Sequence, residues 1–448
     1  MPELIQIIPI ADYEAKKARL AEQIRSAASV RLSKHHSNLF RARKETQQYL
    51  NVRDFDHVIA INTKEHWAEV EGMTTYENFV KETLKYGYIP AVVPQLKTIT
   101  IGGAVAGVGI EASSFRYGLV HETVMEMEVL LSSGDTVLCD ANNNADLFYN
   151  FPNSYGTLGY ALRLKVTLIP VKPFVKLSHT RHSDATSYFQ ALEKISQPSN
   201  TIDFVDGSLF SPTEMYITTG TFVDEAPSVS DYTYMDIYYR SIQEKAEDHL
   251  SISNFIWRWD TDWFWCSKAF GAQNKFLRAF YGRKHLNSAV YWKLRKFALK
   301  HPFLITLNNR FVKKEDVIQD IEVPIENAPA FADFFFENIN VRPTWICPVH
   351  PYDKTKLFGL YRLDPEKLYI NFGFWDAIAS NKGPGHYNKL IEIKVSELHG
   401  NKSLYSDSFY TPEEFWKIYN KHDYDALKAK YDPRHKLKGL YEKCVARA

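Results

Sequence analysis

Net charge, cysteine and long apolar runs are all in short supply. The 53 Asp and Glu nearly cancel the 54 Lys and Arg, leaving a formal net charge of +1, so no global field recruits nucleic acid. Only four cysteines occur, Cys139, Cys266, Cys347 and Cys444, far apart and without a C-x-x-C pair. They supply neither a disulfide framework nor a zinc site; no metal centre is expected, and a reducing compartment fits. No apolar stretch reaches the ~20 residues that a bilayer-crossing helix needs. The opening MPELIQIIPIADYEAKKARLAEQ is soon broken by charge, so it reads as neither signal peptide nor anchor. A cytoplasmic protein is the expectation.

What is present is material to bury. Across 448 residues, 45% are hydrophobic and 14% aromatic, which suits a folded chain of two or three domains. Residues 12–29 read as a helix capped by Asp12, with Tyr13, Leu20 and Ile24 on one face. Val58–Ile61 and Trp67–Val70 read as strands, followed by a helix from Tyr76 to Tyr86. Thr74 and Glu77 form its capping box, and Gly87 stops it. Val124–Leu131 and Thr136–Cys139 form a hairpin about Ser132–Asp135. From Tyr160 to Leu168 apolar and polar residues alternate, giving a half-buried strand that ends at Pro170. Further strands (Met215–Thr221, Lys367–Gly373) and helices (Asp184–Ile195, Pro324–Asn338, and from Thr411) make the chain α+β.

The most informative stretch is Val93–Gly118, VPQLKTITIGGAVAGVGIEASSFRYG. A strand, Thr98–Ile101, runs into Gly102, Gly103, Gly107 and Gly109. Glycine permits sharp turns and close backbone approach to a ligand, and successive exposed N–H groups can surround an anion such as a pyrophosphate. Gly107-x-Gly109-x-x-Ala112 matches a relaxed dinucleotide fingerprint, which requires a helix at once. Ser113–Gly118 offers no convincing one. A glycine-rich barrel corner without ligand is the competing reading.

The order of the block decides between them: strand, glycine loop, hairpin, Asp146–Leu147–Phe148, then Asn153–Gly159 (NSYGTLG) and a long strand. The pattern T-x-G-G-x-x-x-G-x-G-x-x-x-S-S, with DLFY and GTLG, resembles the FAD-binding domain of the vanillyl-alcohol-oxidase and p-cresol-methylhydroxylase type. It is most similar to the delta-24-sterol reductases. The likeness continues through Val171–Leu177 (VKPFVKL), Trp345–Pro348 (WICP), Leu404–Ser408 (LYSDS) and Glu413–Trp416 (EEFW). The resemblance implies a two-domain fold: residues 1–172 binding FAD, 173–400 an antiparallel-sheet substrate (cap) domain, and 401–448 returning to the FAD domain.

It further implies that Thr100, Gly102, Gly103, Ala104, Gly107, Val108 and Gly109 wrap the pyrophosphate, with hydroxyls from Ser113 and Ser114. Pro94 and Gln95 line the entry, and Gly156, Thr157, Gly159 and Tyr160 close over the adenine–ribose side. An earlier loop, usually glycine-rich, corresponds to Arg31–Asn38 (RLSKHHSN), which has no glycine; Ser33, Lys34 and Ser37 can serve phosphate there. His35 and His36 occupy the place where some relatives attach FAD covalently, but they read here as ordinary polar histidines.

Hydride chemistry on a flavin needs one ionisable group beside the ring, as acid for C=C reduction or as base for alcohol oxidation. Tyr405 is the first candidate; His350, Tyr352 and Arg258 are weaker ones. Where some members carry a lysine three places after this tyrosine, Ser408 stands. Residues 255–303 interleave Trp and Phe with Lys and Arg, which reads as a packed cap over a hydrophobic pocket or as a membrane-facing surface. The expected activity is FAD-dependent reduction of a sterol- or isoprenoid-like C=C bond, with NADPH or another electron donor. An FAD-linked oxidase or dehydrogenase of an alcohol or lactone, and a non-catalytic flavin-binding module, are the alternatives.

Overall fold

The computed structural model describes residues 3–27, 29–41, 48–197, 201–301 and 313–446. Alternation is clearest in Tyr160–Pro170, where Leu162, Leu164, Val166 and Leu168 are buried between half-exposed Arg163, Lys165 and Thr167. That period of two makes a strand with one face inward. It is central to a seven-stranded antiparallel sheet ordered Leu4–Gln6, Val58–Asn62, Trp67–Glu71, Tyr160–Pro170, Val124–Leu130, Thr136–Asp140, with Tyr88–Pro90 also pairing the long strand.

An eight-stranded antiparallel sheet follows, ordered Glu247–Ser251, Phe174–His182, Glu214–Val223, Phe204–Ser211, Thr344–Val349, Tyr369–Ala379, Lys314–Pro324, Asn401–Lys402. Helices Ala185–Ile195 and Ala328–Asn338 cover one face, packing Tyr188, Leu192, Phe331 and Phe335 on Val317, Ile321, Val323 and Phe372. Strand geometry turns the neighbouring Asp320 and Glu322 to the opposite face. That face carries Trp345 and Trp375 towards a second core shared with the first sheet. The C-terminal helices then return to the first sheet's side: Lys428 Nζ donates to the Thr157 carbonyl at 2.8 Å, and Tyr431 Oη to Asp146 at 2.9 Å. The result is an α+β chain with two antiparallel sheets.

Most elements read from the sequence are present, and four local readings change. The first helix is Ile10–Ser26, entered through Pro9, so Asp12 sits in the first turn rather than at the cap. The cap of Tyr76–Leu84 is Thr75, whose hydroxyl accepts from Asn78 N at 3.3 Å. Ser114–Tyr117 forms a single helical turn. The largest change concerns the glycines: Ile101–Ala106 is helix, capped by Thr100 Oγ1, where a strand end and loop were expected.

Close packing explains why glycine stands in that helix. Gly102 N donates to the Gly72 carbonyl at 2.9 Å, and a Cβ on Gly102 would lie 2.6 Å from that oxygen. Gly72 in turn abuts the long strand, where an added Cβ would meet Ala161 O at 2.0 Å. No described helix is long and apolar enough to cross a membrane. Gly72→Ala sets a Cβ against the Ala161 carbonyl and must push residue 72 off the long strand; it should cost about 1–3 kcal/mol or more, read as a lowered midpoint in urea or thermal unfolding.

Candidate functional site

A cavity of about 390 Å³ opens between the two sheets. One wall is the glycine helix and the loop after it, Thr100 to Glu111. Tyr155–Gly156 closes one end, fastened by Asn153 N to Gly107 O at 3.0 Å and Tyr155 N to Ala106 O at 2.8 Å. This fastening holds Asn153 and Tyr155 at φ of 61° and 50°, a left-handed backbone that costs non-glycine residues energy and clusters at functional sites. The segment Lys34–Phe40 supplies another edge, joined to the C-terminal region by Phe40 N to Tyr405 O at 2.9 Å. The opposite wall is aromatic: Trp263, Phe264, Trp345 and Trp375. Phe264 packs on Trp375 with centroids 4.4 Å apart, and Trp263 and Phe264 also have positive φ.

Of the expected cofactor residues, Lys34, Ser37, Pro94, Gln95, Thr100, Gly102, Gly103, Ala104, Gly107, Val108, Gly109, Gly156, Gly159 and Tyr160 line this one cavity. Four do not. Ser33 lies in a short parallel strand pair with Tyr49–Asn51. Ser113 Oγ is spent on the Ala91 carbonyl at 2.7 Å, and Ser114 Oγ accepts from Glu111 N at 3.1 Å. Thr157 Oγ1 donates to Ser154 O at 2.8 Å within its own turn. These hydroxyls satisfy backbone groups instead of facing a ligand, as buried polar groups must. Of the two histidines, His36 is on the wall and His35 is not.

The four catalytic candidates separate. Tyr405 is on the cavity wall. Its hydroxyl accepts from Trp375 Nε1 at 3.0 Å and donates to Asp320. Burial, reinforced by the Asp320 charge, pushes the phenol well above its usual range, so it stays protonated. Burial also raises the Asp320 carboxyl to about 6, against the hydrogen bonds it accepts from Asn371 (Nδ2 at 3.0 Å) and Tyr405. Arg258 lies behind the wall, 3% exposed. It is clamped by Asp206 at 2.7 Å and Glu111 at 3.5 Å, because a desolvated guanidinium must be paired. His350 sits off the cavity at a strand end, its Nδ1 3.1 Å from Pro351 O, and Tyr352 is exposed.

Asp320 and Glu111 were missed from sequence. Asp320 sits in an ordinary-looking strand, IQDIEV, and only pairing with Tyr369–Ala379 places it opposite Gly373 and near Tyr405. Glu111 lies inside the glycine stretch itself; its signal was an acidic residue in an otherwise small and apolar run. Buried and only partly neutralised by Arg258, it is raised to about 7.

Residues 19–140 match the family described as FAD binding domain. Over 427 aligned residues the chain is 26% identical to Delta(24)-sterol reductase of Homo sapiens, covering 89% of this chain and 78% of that protein. It is 24% identical to Delta(24)-sterol reductase of Arabidopsis thaliana, covering 85% and 74%. It is 28% identical to cytokinin dehydrogenase 1 of the same plant over 144 residues, 32% of this chain and 25% of that protein. These matches indicate FAD as the cofactor.

The cavity suits that group. On its wall the N–H groups of Val108, Gly109 and Ile110 find no acceptor among the described residues, a donor row of the kind that surrounds an anionic diphosphate. Among the described residues, Gln95 Oε1 and the Tyr155 hydroxyl are buried there with no side-chain partner. Alanine and glycine at 102–107 keep the wall thin.

Gly107→Trp tests the assignment. Its Cβ would make one tight contact, 3.0 Å from Gly103 O, and lie 3.5 Å from the Tyr155 ring, so a small shift accommodates it while the indole fills the cavity; the protein should fold yet purify without flavin absorbance. Asp320→Asn tests the carboxyl. A folded pKa raised from 3.8 to about 6 means that ionisation opposes folding above pH 6, and this opposition vanishes below the unfolded value. The variant should therefore melt higher than the parent at pH 8, with the gap closing between pH 6 and 4.

Proposed function

We propose that this chain is an FAD-dependent oxidoreductase that reduces a C=C bond in a hydrophobic, sterol- or isoprenoid-like molecule. The fold would be of the vanillyl-alcohol-oxidase type, with residues 1–172 holding FAD, 173–400 forming the cap and 401–448 closing back. Similarity along most of the chain to the Delta(24)-sterol reductases supports the substrate class. The aromatic wall of Phe264, Trp345 and Trp375 supplies the apolar surface that such a substrate needs.

When bound, FAD supplies the hydride chemistry. The protein's own part is to hold the cofactor, exclude water and move a proton. Val108, Gly109 and Ile110 would hold the diphosphate through backbone N–H groups, with Gln95 and Tyr155 offering their side-chain polar atoms. The tryptophan and phenylalanine rings keep water from the substrate face. Reducing a double bond requires a proton at one carbon, and the single observation that carries the reading is the protonated Tyr405 hydroxyl on this wall, backed by Asp320. Asp320, raised to about 6, can reload the phenol when it holds a proton of its own. A base for alcohol oxidation would instead use ionised Asp320, its form above about pH 6.

Tyr405→Phe should retain flavin but lose about 10²–10⁴-fold in turnover, the range for removing a general acid. Assays use dithionite-reduced enzyme, or NADPH as donor, with a sterol bearing an isolated side-chain double bond. Turnover should fall as pH rises through about 6, the Asp320 value, and Asp320→Asn should flatten that profile. A rate that instead climbs with pH on an alcohol, with fast reoxidation by oxygen, would establish the oxidase. Bound flavin that no donor or acceptor turns over would establish the non-catalytic module.

A further inference from the structure

The most exposed of the large hydrophobic side chains among the described residues stand together. On helix Lys275–Tyr281, Phe276 is 86% and Phe280 90% exposed, with Leu277 beside them at 48%. Spacing of four residues puts Phe276 and Phe280 on one face, while Arg278 on the other is buried and paired with Asp262 at 2.6 Å. The helix is therefore locked by its inner face, while the rings of Phe276 and Phe280 stay exposed among the described residues. Soluble proteins rarely leave two such rings adjacent and bare.

The same region is strongly one-sided in charge. No acidic residue occurs between Asp262 and Glu315. Lys268, Arg278, Arg283 and Arg295 each hold a carboxylate from elsewhere. On helix Ser288–Lys300, exposed Lys293, Lys296, Phe297 and Lys300 fall at helical spacing on one face. Both helices rest on one small aromatic core of Trp263, Tyr281, Leu286, Tyr291 and Trp292.

That core joins the patch to the cavity. Trp292 packs on Phe40 with centroids 4.7 Å apart and on Trp263 at 5.1 Å, and both Phe40 and Trp263 line the cavity. Burial, then His35, then Lys296 and Lys293 lower the basicity of His36 on the same wall, so the charge of these lysines is felt at the cavity.

We propose that Phe276, Leu277, Phe280 and the adjoining lysine face of Ser288–Lys300 form a docking surface for an anionic lipid bilayer, placing the cavity mouth against the membrane. Apolar rings enter the acyl boundary while lysines remain with anionic headgroups, the pattern of an interfacial helix. A bilayer rather than a protein partner is favoured because the rings project exposed from a helix face and the exposed charges flanking them are basic, matching anionic headgroups. The inference rests on a lipophilic ligand for the cavity, since a water-soluble one needs no such placement.

The test is vesicle flotation of the FAD-loaded chain, with phosphatidylcholine vesicles and with vesicles containing one-fifth phosphatidylserine. The expected result is flotation with the anionic vesicles, weakened by salt, and weakened about tenfold or more in the double variant Phe276→Ser/Phe280→Ser and in Lys293→Glu/Lys296→Glu. Flavin content and turnover of detergent-dispersed substrate should be unchanged in the serine variant. Absence of flotation overturns the proposal, as does flotation indifferent to both variants. A concentration-dependent dimer that the serine variant abolishes, without flotation, assigns the patch to a second copy and overturns it too. Flotation and detergent-phase turnover are independent readouts, so failure of the membrane surface is distinguishable from failure of the reductase reading.

Discussion

The site depends on one contact, the Gly102 N–H donating to Gly72 O at 2.9 Å. A side chain at either position would collide with backbone, and backbone cannot yield as a flexible side chain can. Because the helix Ile101–Ala106 lies this close to the sheet, the chain leaving it at Gly107 runs along the cavity rather than over the surface. Two further backbone bonds, from Asn153 and Tyr155, then pin the opposite turn to that exit. The unpaired N–H groups of Val108 to Ile110 follow from this geometry: their segment is neither helix nor strand, and its packing leaves them facing no acceptor. A short helix pressed on a sheet thus produces both the thin wall and the donor row.

Around that frame the polar groups divide by role. Arg258, Asp206 and Glu111 form a closed set behind the wall, where removing one partner would leave an uncompensated buried charge. Their value to the site is indirect: Glu111 also accepts from Gln95, which fixes that amide at the cavity edge with its oxygen lacking a side-chain partner among the described residues. Glu111 also reaches the wall, whereas Arg258 and Asp206 do not; Tyr405, Asp320 and Trp375 reach the cavity from the opposite sheet's side. The aromatic wall thus meets a buried phenol, Tyr405, whose hydroxyl is held between Trp375 Nε1 and Asp320.

The sequence showed the glycine stretch, the turn at Tyr155–Gly159 and Tyr405 because each carries a local signature, either small residues in order or a short motif. It misled on the secondary structure of Ile101–Ala106, where two glycines argue against helix by intrinsic propensity and tertiary packing on Gly72 prevails. Serine and threonine were also over-read. A hydroxyl near a phosphate loop looks like a ligand, yet Ser113, Ser114 and Thr157 are used by the backbone next to them. Asp320 was invisible for a different reason. Its neighbours Tyr405 and Trp375 lie 85 and 55 positions later in the chain, and nothing local distinguishes it from any polar residue on a strand.

Asp320 and Glu322 show why the arrangement is more than packing. Both project from one strand onto the same face, and burial raises both carboxyls, Glu322 further through the charge of Asp320. Glu322 is answered by the Tyr361 hydroxyl within a fully buried pocket, where a held proton costs little. Asp320 instead lies on the cavity, raised only to about 6, with a phenol between it and the open space. Two like residues two positions apart are thereby set to different protonation, and the one that titrates near neutrality is the one in contact with Tyr405. A fold concerned with stability alone would put a neutral side chain there; the desolvated carboxyl opposes folding above its pKa. What that unfavourable position provides is a titratable carboxyl at the aromatic wall, hydrogen-bonded to the Tyr405 hydroxyl.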